Sequence, residues 1–239
     1  MVLETDSVRE LGPRGSGILL RIARTQAREL ALLFSVVVAL TLAAFRATGV
    51  DLQQAALGIY APAGTALPTD PLVSLGVELQ MAALAAVGVT GAAVLWRAHA
   101  ETRSHRARTG RLYLLSAVLC LLGVVLGAVL VVPALLELLK FGILRSGFVP
   151  AYRPYWLAEV ALFLPIAVGI AVSLPALMVA LVSDGIVSSN VLHRDWGVVL
   201  LGVLTYASLY SPPDSVTFVV YGGVLLSGYL AGLAVLTFG

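Results

Sequence analysis

The sequence holds a single cysteine, Cys120, so no disulfide can form within the chain, and its place in an apolar run says nothing about redox compartment. Charge is scarce too: 12% of residues are Asp, Glu, Lys or Arg, against roughly 25% in soluble domains. That scarcity excludes an ordinary water-soluble domain. The charge present is nearly balanced, 15 Lys+Arg against 13 Asp+Glu, which excludes the strongly basic surface of a nucleic-acid binder. Histidine is limited to His99, His105 and His193, none with a second ligand at metal spacing, so no metal or cofactor is implied. Ser188, His193 and Asp195 look superficially like hydrolase parts but lack the context of a nucleophile elbow. The chain reads as a non-enzyme. Internal repeats of the kind that underlie inverted-topology transporters are also missing.

What the chain has in abundance is hydrophobicity: 59% of residues are apolar and the mean hydropathy is +0.98. The composition is that of an all-α, polytopic membrane protein. Residues 1–27 are polar and offer no short apolar core with a small-residue cleavage site, so they read as a cytosolic tail rather than a leader. Residues 28–239 then form one membrane domain. Six runs without charge, or nearly so, mark spans at about 30–45, 72–96, 112–132, 156–182, 196–210 and 215–238. The fifth, Trp196 to Tyr210, is fifteen residues long, which at a helical rise of about 1.5 Å covers roughly 22 Å and falls short of a ~30 Å hydrocarbon core.

Orientation follows from the basic residues in the connections. With the N-terminus inside, that side collects Arg9, Arg14, Arg21, Arg24, Arg28, Arg97, Arg103, Arg106, Arg108, Arg111 and Arg194, eleven of the 15. Arg46, Lys140, Arg145 and Arg153 fall outside. Both termini therefore read as cytosolic, and the Ser211-Pro212-Pro213-Asp214 bend as outward-facing. Ile18 to Leu33 suits an interfacial amphipathic helix leading into the first span. Asp51 to Pro71 is too apolar for a solvated loop and too broken by Gly and Pro for a span, so it reads as a cap in the outer interface. At Pro133 the third span is expected to kink and run on along the surface to Lys140.

Several residues stand out. Glu78 and Gln80 interrupt the second span, and an intramembrane carboxylate is a functional candidate by default, with a snorkelling interfacial residue as the plainer alternative. Glu159, three residues past Trp156, reads as interfacial. Ser173 suits a hydrogen bond to the carbonyl one turn back, easing the helix near Pro175. Asp214 is placed to cap the last helix, and Pro212 and Pro213 to fix the turn before it. Arg103 to Arg108 is a topology determinant that also suits anionic lipid.

Spacing adds a resemblance. Gly169, Ser173 and Pro175 resemble the G-x-x-x-[E]-x-P of the fourth span in TatC, the multispanning subunit of the twin-arginine protein translocase. Gly185 follows in register, and the Pro-Pro-Asp bend arrives without a gap. Gly123 and Pro133 are similar to that family's third-span G-x9-P, and Ala61-Pro62 with Leu67-Pro68 to its A-P-x4-L-P outer cap. Two stretches depart from it. Thr25-Gln26-Ala27-Arg28-Glu29-Leu30 stands where the family has E-L-R-x-R, keeping a carboxylate in Glu29 out of register. After the second span, Trp96 is kept, whereas Ala98, Glu101 and Ala107 replace the Phe, Pro and Glu of the family motif.

The resemblance implies a six-span concave bundle that takes part, without catalysis, in proton-gradient-dependent export of folded proteins across the cytoplasmic membrane. It implies single-span TatA- and TatB-like partners, a second TatC as a further partner, twin-arginine signal peptides and the lipid bilayer. Glu78, Gln80 and Ser173 are then candidates for a polar pocket, Glu29, Trp96 and Glu101 for the cytosolic face, and Pro62, Leu67 and Pro68 for the cap. Because two guanidinium groups are best held by bidentate carboxylates, the departures leave open a divergent paralogue acting as a structural or regulatory subunit without signal-peptide receptor activity. A small-solute transporter or channel using Glu78 is the third reading.

Overall fold

A computed structural model describes residues 24–60, 71–101, 106–145 and 154–238; the expected cap residues Pro62, Leu67 and Pro68, and most of the N-terminal tail, lie outside them. The described chain is all-helical: α1 (Ala27–Thr48), α2 (Leu52–Tyr60), α3 (Pro71–Glu101), α4 (Arg106–Leu126), a π turn (Gly127–Val131), α5 (Val132–Arg145), α6 (Pro154–Ser183), α7 (Ser189–Arg194), α8 (Trp196–Tyr210) and α9 (Ser215–Phe238). Five described segments are long and apolar enough to cross a membrane, Ala27–Thr48, Ser74–Ala100, Thr109–Phe141, Tyr155–Ser183 and Ser215–Phe238, and Trp196–Tyr210 is a shorter apolar helix. Bounds for α8 and α9 fall where the charge-free runs place them.

The bundle is organised around α6, whose most extensive interfaces are with α4 and α9. Lipid tails are as apolar as leucine, so helices in a membrane gain little from burying apolar area against each other and depend on close packing instead. Small residues provide it. A Cβ built on Gly169 of α6 would stand 2.8 Å from the Cys120 carbonyl oxygen, and one on Gly123 of α4 would stand 2.7 Å from the Gly169 Cα. Gly127 faces Pro165 at 2.6 Å in the same way. On the other side of α6, a Cβ on Gly228 of α9 would come within 2.3 Å of the Ala171 carbonyl oxygen, and one on Gly232 within 2.3 Å of the Met178 Sδ. Gly123 and Gly169, two of the glycines in the family pattern, are thus contact points between backbones.

Pro133 does not end the third span; the helix continues through it to Arg145. The accommodation is made one turn earlier. Proline has no N–H and its ring clashes with the carbonyl four residues back, and the turn before it widens to π geometry, with the Val132 N–H bonding the Gly127 carbonyl. In that register the next amide would serve Ala128, but residue 133 has none to give. The Tyr60 hydroxyl from α2 donates to the Ala128 carbonyl instead, at 2.8 Å. α2 is held nearby by Ala56, which is buried against Ala158 and Ala161 of α6.

Helix ends are set by local chemistry. α6 stops at a Schellman-type turn: Gly185 has φ of 68°, a left-handed conformation that favours glycine, and the Ile186 N–H reaches back to the Leu181 carbonyl at 3.0 Å. Gly228→Ala is expected to lower the thermal midpoint in detergent, at a cost of about 1–3 kcal/mol from overpacking. Gly223→Ala, where a Cβ meets nothing within 4 Å, is expected to leave the midpoint unchanged or slightly raised. Tyr60→Phe should cost about 1–3 kcal/mol, the desolvation of the stranded Ala128 carbonyl, measurable in the same melt.

Candidate functional site

The bend between α8 and α9 is built by its own residues. Asp214 caps α9: its Oδ1 accepts the Thr217 N–H at 2.8 Å, and the Thr217 hydroxyl donates to its Oδ2. The Trp156 indole N–H, from the first turn of α6, donates to the same Oδ2 at 2.9 Å. Burial disfavours the ionised form of Asp214, but the hydroxyl and amide of Thr217 and the Trp156 indole outweigh it and hold the carboxyl below its ordinary range. The bend is therefore tied to α6 through an ionised carboxylate, a tie that the capping role expected of Asp214 does not include.

Beneath the bend lies a cavity of about 810 Å³, lined among others by Gln80, Tyr155, Glu159, Ser208 and Pro213. Glu159 is buried within the bundle, 3% exposed. Tyr155 and Gln80 line the same cavity beside its carboxyl. The Gln80 amide nitrogen also donates to the Leu209 carbonyl in the last turn of α8, at 3.3 Å.

Glu78 and Ser173 belong to other settings, so the three polar-pocket candidates do not share one pocket. Two residues apart on α3, Glu78 and Gln80 project to different sides of the helix. Glu78 is buried and paired with Arg46 of α1 at 3.0 Å. A second cavity, about 250 Å³, opens beside this pair and is lined also by Asp51 and Ser74. Asp51 accepts the backbone N–H groups of Gln53 and Gln54 and the Ser74 hydroxyl on one oxygen, Oδ1. Ser173 sits inside the α4–α6 interface. Its hydroxyl donates to the Ile170 carbonyl at 2.8 Å, while its own carbonyl lies 3.4 Å from the Ser116 hydroxyl.

The opposite end of the bundle carries the other candidates. Glu29 at the start of α1 pairs with Arg97 of α3 at 3.0 Å, and Gln26 hydrogen-bonds the same guanidinium. Trp96 is 76% exposed and borders an apolar hollow of about 280 Å³ with Leu95 and Tyr113. Glu101 ends α3, with its side chain outside the described set. One cluster here was not foreseen: Asp184, buried at the end of α6, accepts the Tyr113 hydroxyl at 3.0 Å, and His99 Nδ1 lies 2.7 Å from the same Oδ2. An acidic residue next to a helix-ending glycine was the only signal for it.

A family described as Sec-independent protein translocase protein (TatC) matches residues 21–222. A crystal structure of a twin-arginine translocase receptor TatC is similar at a TM-score of 0.61 and 22% identity, over 91% of this chain and 97% of that one. Another, of a twin-arginine translocase receptor TatC in the detergent DDM, has a TM-score of 0.56 and 17% identity, over 90% of this chain and 98% of that one. At these identities the likeness is one of fold. Comparison with curated proteins finds no match.

A pH dependence follows from the Asp214 cap. A carboxyl held below its unfolded value contributes stability that is full above that value, about 3.8, and is lost as pH falls through the lower folded value. Asp214→Asn is therefore expected to be less stable than the parent at neutral pH, with the gap closing below about pH 4. Thermal melts of both proteins in detergent from pH 3 to 7 measure it.

Proposed function

This chain belongs to the TatC family of Sec-independent protein translocase proteins, and we propose that it serves proton-gradient-dependent export of folded proteins across the cytoplasmic membrane. It is a multi-pass membrane component of a twin-arginine translocase. The observation that carries this reading is the family match over residues 21–222, which runs through the capped bend. The basic connections favour cytosolic termini and an outward bend. A signal peptide then meets the end that bears Glu29, Trp96 and Glu101. Single-span TatA- and TatB-like subunits pack on α8 and α9, whose outer faces expose Val198, Leu201, Val216 and Val219. The shortness of α8 supports a thinned bilayer at that edge, because lipid adjusts to a span below its own thickness.

A specific observation favours a second reading. Glu29, the carboxylate nearest the family's arginine-binding position, is occupied by Arg97, and the fourth-span carboxylate position holds Ser173, buried between helices. On that reading the chain is a paralogue that supports a companion TatC without receiving the signal peptide. A photocrosslinker at position 96 in the full chain separates the two. The receptor reading expects an adduct with a twin-arginine precursor that disappears when the arginine pair is replaced by lysines. Adducts on a companion subunit alone establish the second reading. Under the first, Arg97→Gln frees Glu29 and should raise the adduct about two- to fivefold, the size of an exposed ion pair of ~0.5–1 kcal/mol.

A further inference from the structure

Among the described residues, the cavity beneath the bend presents mainly hydrogen-bond acceptors. Its lining among the described residues includes the carboxylates Glu159 and Asp214 and no Lys, Arg or His. It also includes Ser208 and Leu209, in the last turn of α8, where backbone carbonyls lack intrahelical partners and carry the negative end of the helix dipole. Pro212 and Pro213, which would otherwise supply amides there, have none. Two acceptors are left over: Glu159 Oε2 and Gln80 Oε1 are both buried with no hydrogen-bond partner among the described residues. Glu159 itself is only 3% exposed. An unsatisfied carboxylate oxygen so deeply placed is costly unless the group takes up a proton or a positive, hydrogen-bonding group reaches it.

We infer that this cavity binds one ammonium or guanidinium group, with Glu159 as its counter-ion and the Gln80 side-chain carbonyl as a second acceptor. The occupant is the end of a lysine or arginine side chain from another polypeptide segment. A bare metal ion is a poor fit, since no group of three His, Cys, Asp or Glu side chains gathers among the described residues. Size agrees: about 810 Å³ far exceeds the ~30 Å³ share of one water and leaves room for the long apolar stem of a basic side chain as well as its head. The Asp214 charge, already satisfied by Thr217 and Trp156, adds negative potential without competing for the donor. This site is separate from the carboxylates of the opposite end and does not depend on signal-peptide binding.

The test uses the full chain in detergent with Cys120→Ala and one new cysteine, Ser208→Cys at the cavity or Asn190→Cys at the far end as a control. Each is modified with a cationic trimethylammonium and an anionic sulfonate methanethiosulfonate. The cationic reagent should react faster at position 208 by roughly tenfold over the control ratio, as one nearby opposite charge in a partly screened site gives. Butylammonium and methylguanidinium, the ends of lysine and arginine, should slow modification at 208, whereas sodium at equal ionic strength should not. Glu159→Gln should remove the protection and most of the preference while the protein keeps its gel-filtration profile, and Gln80→Leu should weaken protection with the charge preference intact. Equal rates for the two reagents with Glu159 present, protection that survives Glu159→Gln, or equal protection by sodium would overturn the assignment.

Discussion

Everything in this bundle depends on how closely other backbones can approach α6. In a membrane the contact must come from dispersion between well-fitted surfaces, and dispersion falls off steeply with a gap of even a fraction of an ångström. The glycines of α4 and α9 let main chain meet main chain on both sides of α6. A third contact, with α2, again uses small residues, Ala56 against Ala158 and Ala161. Because α6 is fixed on these sides, its first turn is a rigid platform, and Trp156 and Glu159 can be held in register with the bend. By contrast α1 buries no residue and leans on α3, so the outermost helix is the one with least to lose from moving.

Charge follows the same economy. Asp214, Glu78 and Asp184 are each met by a donor from a different helix: the indole of Trp156, the guanidinium of Arg46, and the hydroxyl of Tyr113 with the imidazole of His99. Each polar tie joins segments distant in sequence, so the scarce charges serve as register marks between helices. Glu159 and Asp184 each keep one oxygen unmatched among the described residues.

The helices were legible because a charge-free run is the most direct signal a membrane protein offers, and α8 with its bend was readable to the residue. Asp214 as a cap was legible too, since Asp just before a helix has one dominant use. The π turn was not: proline signals a disturbance, but its remedy depends on Tyr60, far away in the chain. The site was only partly legible. Glu78, Gln80 and Ser173 are distinctive as polar residues in apolar runs, yet helical phase sends the first two to different cavities and buries the third. The burial of Glu159 was not legible, because nearness to a helix end says nothing about what packs over that end. The His99–Asp184–Tyr113 cluster joins three separated segments, which no local pattern reveals.

The Tyr60 hydroxyl gives the chain an order of assembly. Hydrocarbon offers no water to a stranded carbonyl, which costs several kcal/mol until a partner arrives. Ribosomes make Tyr60 long before Pro133, but the helix that carries it is held by Ala158 and Ala161 of α6, which is made after both. The defect created by Pro133 is thus repaired by something earlier in the message, but only once the later α6 has fixed that donor in place.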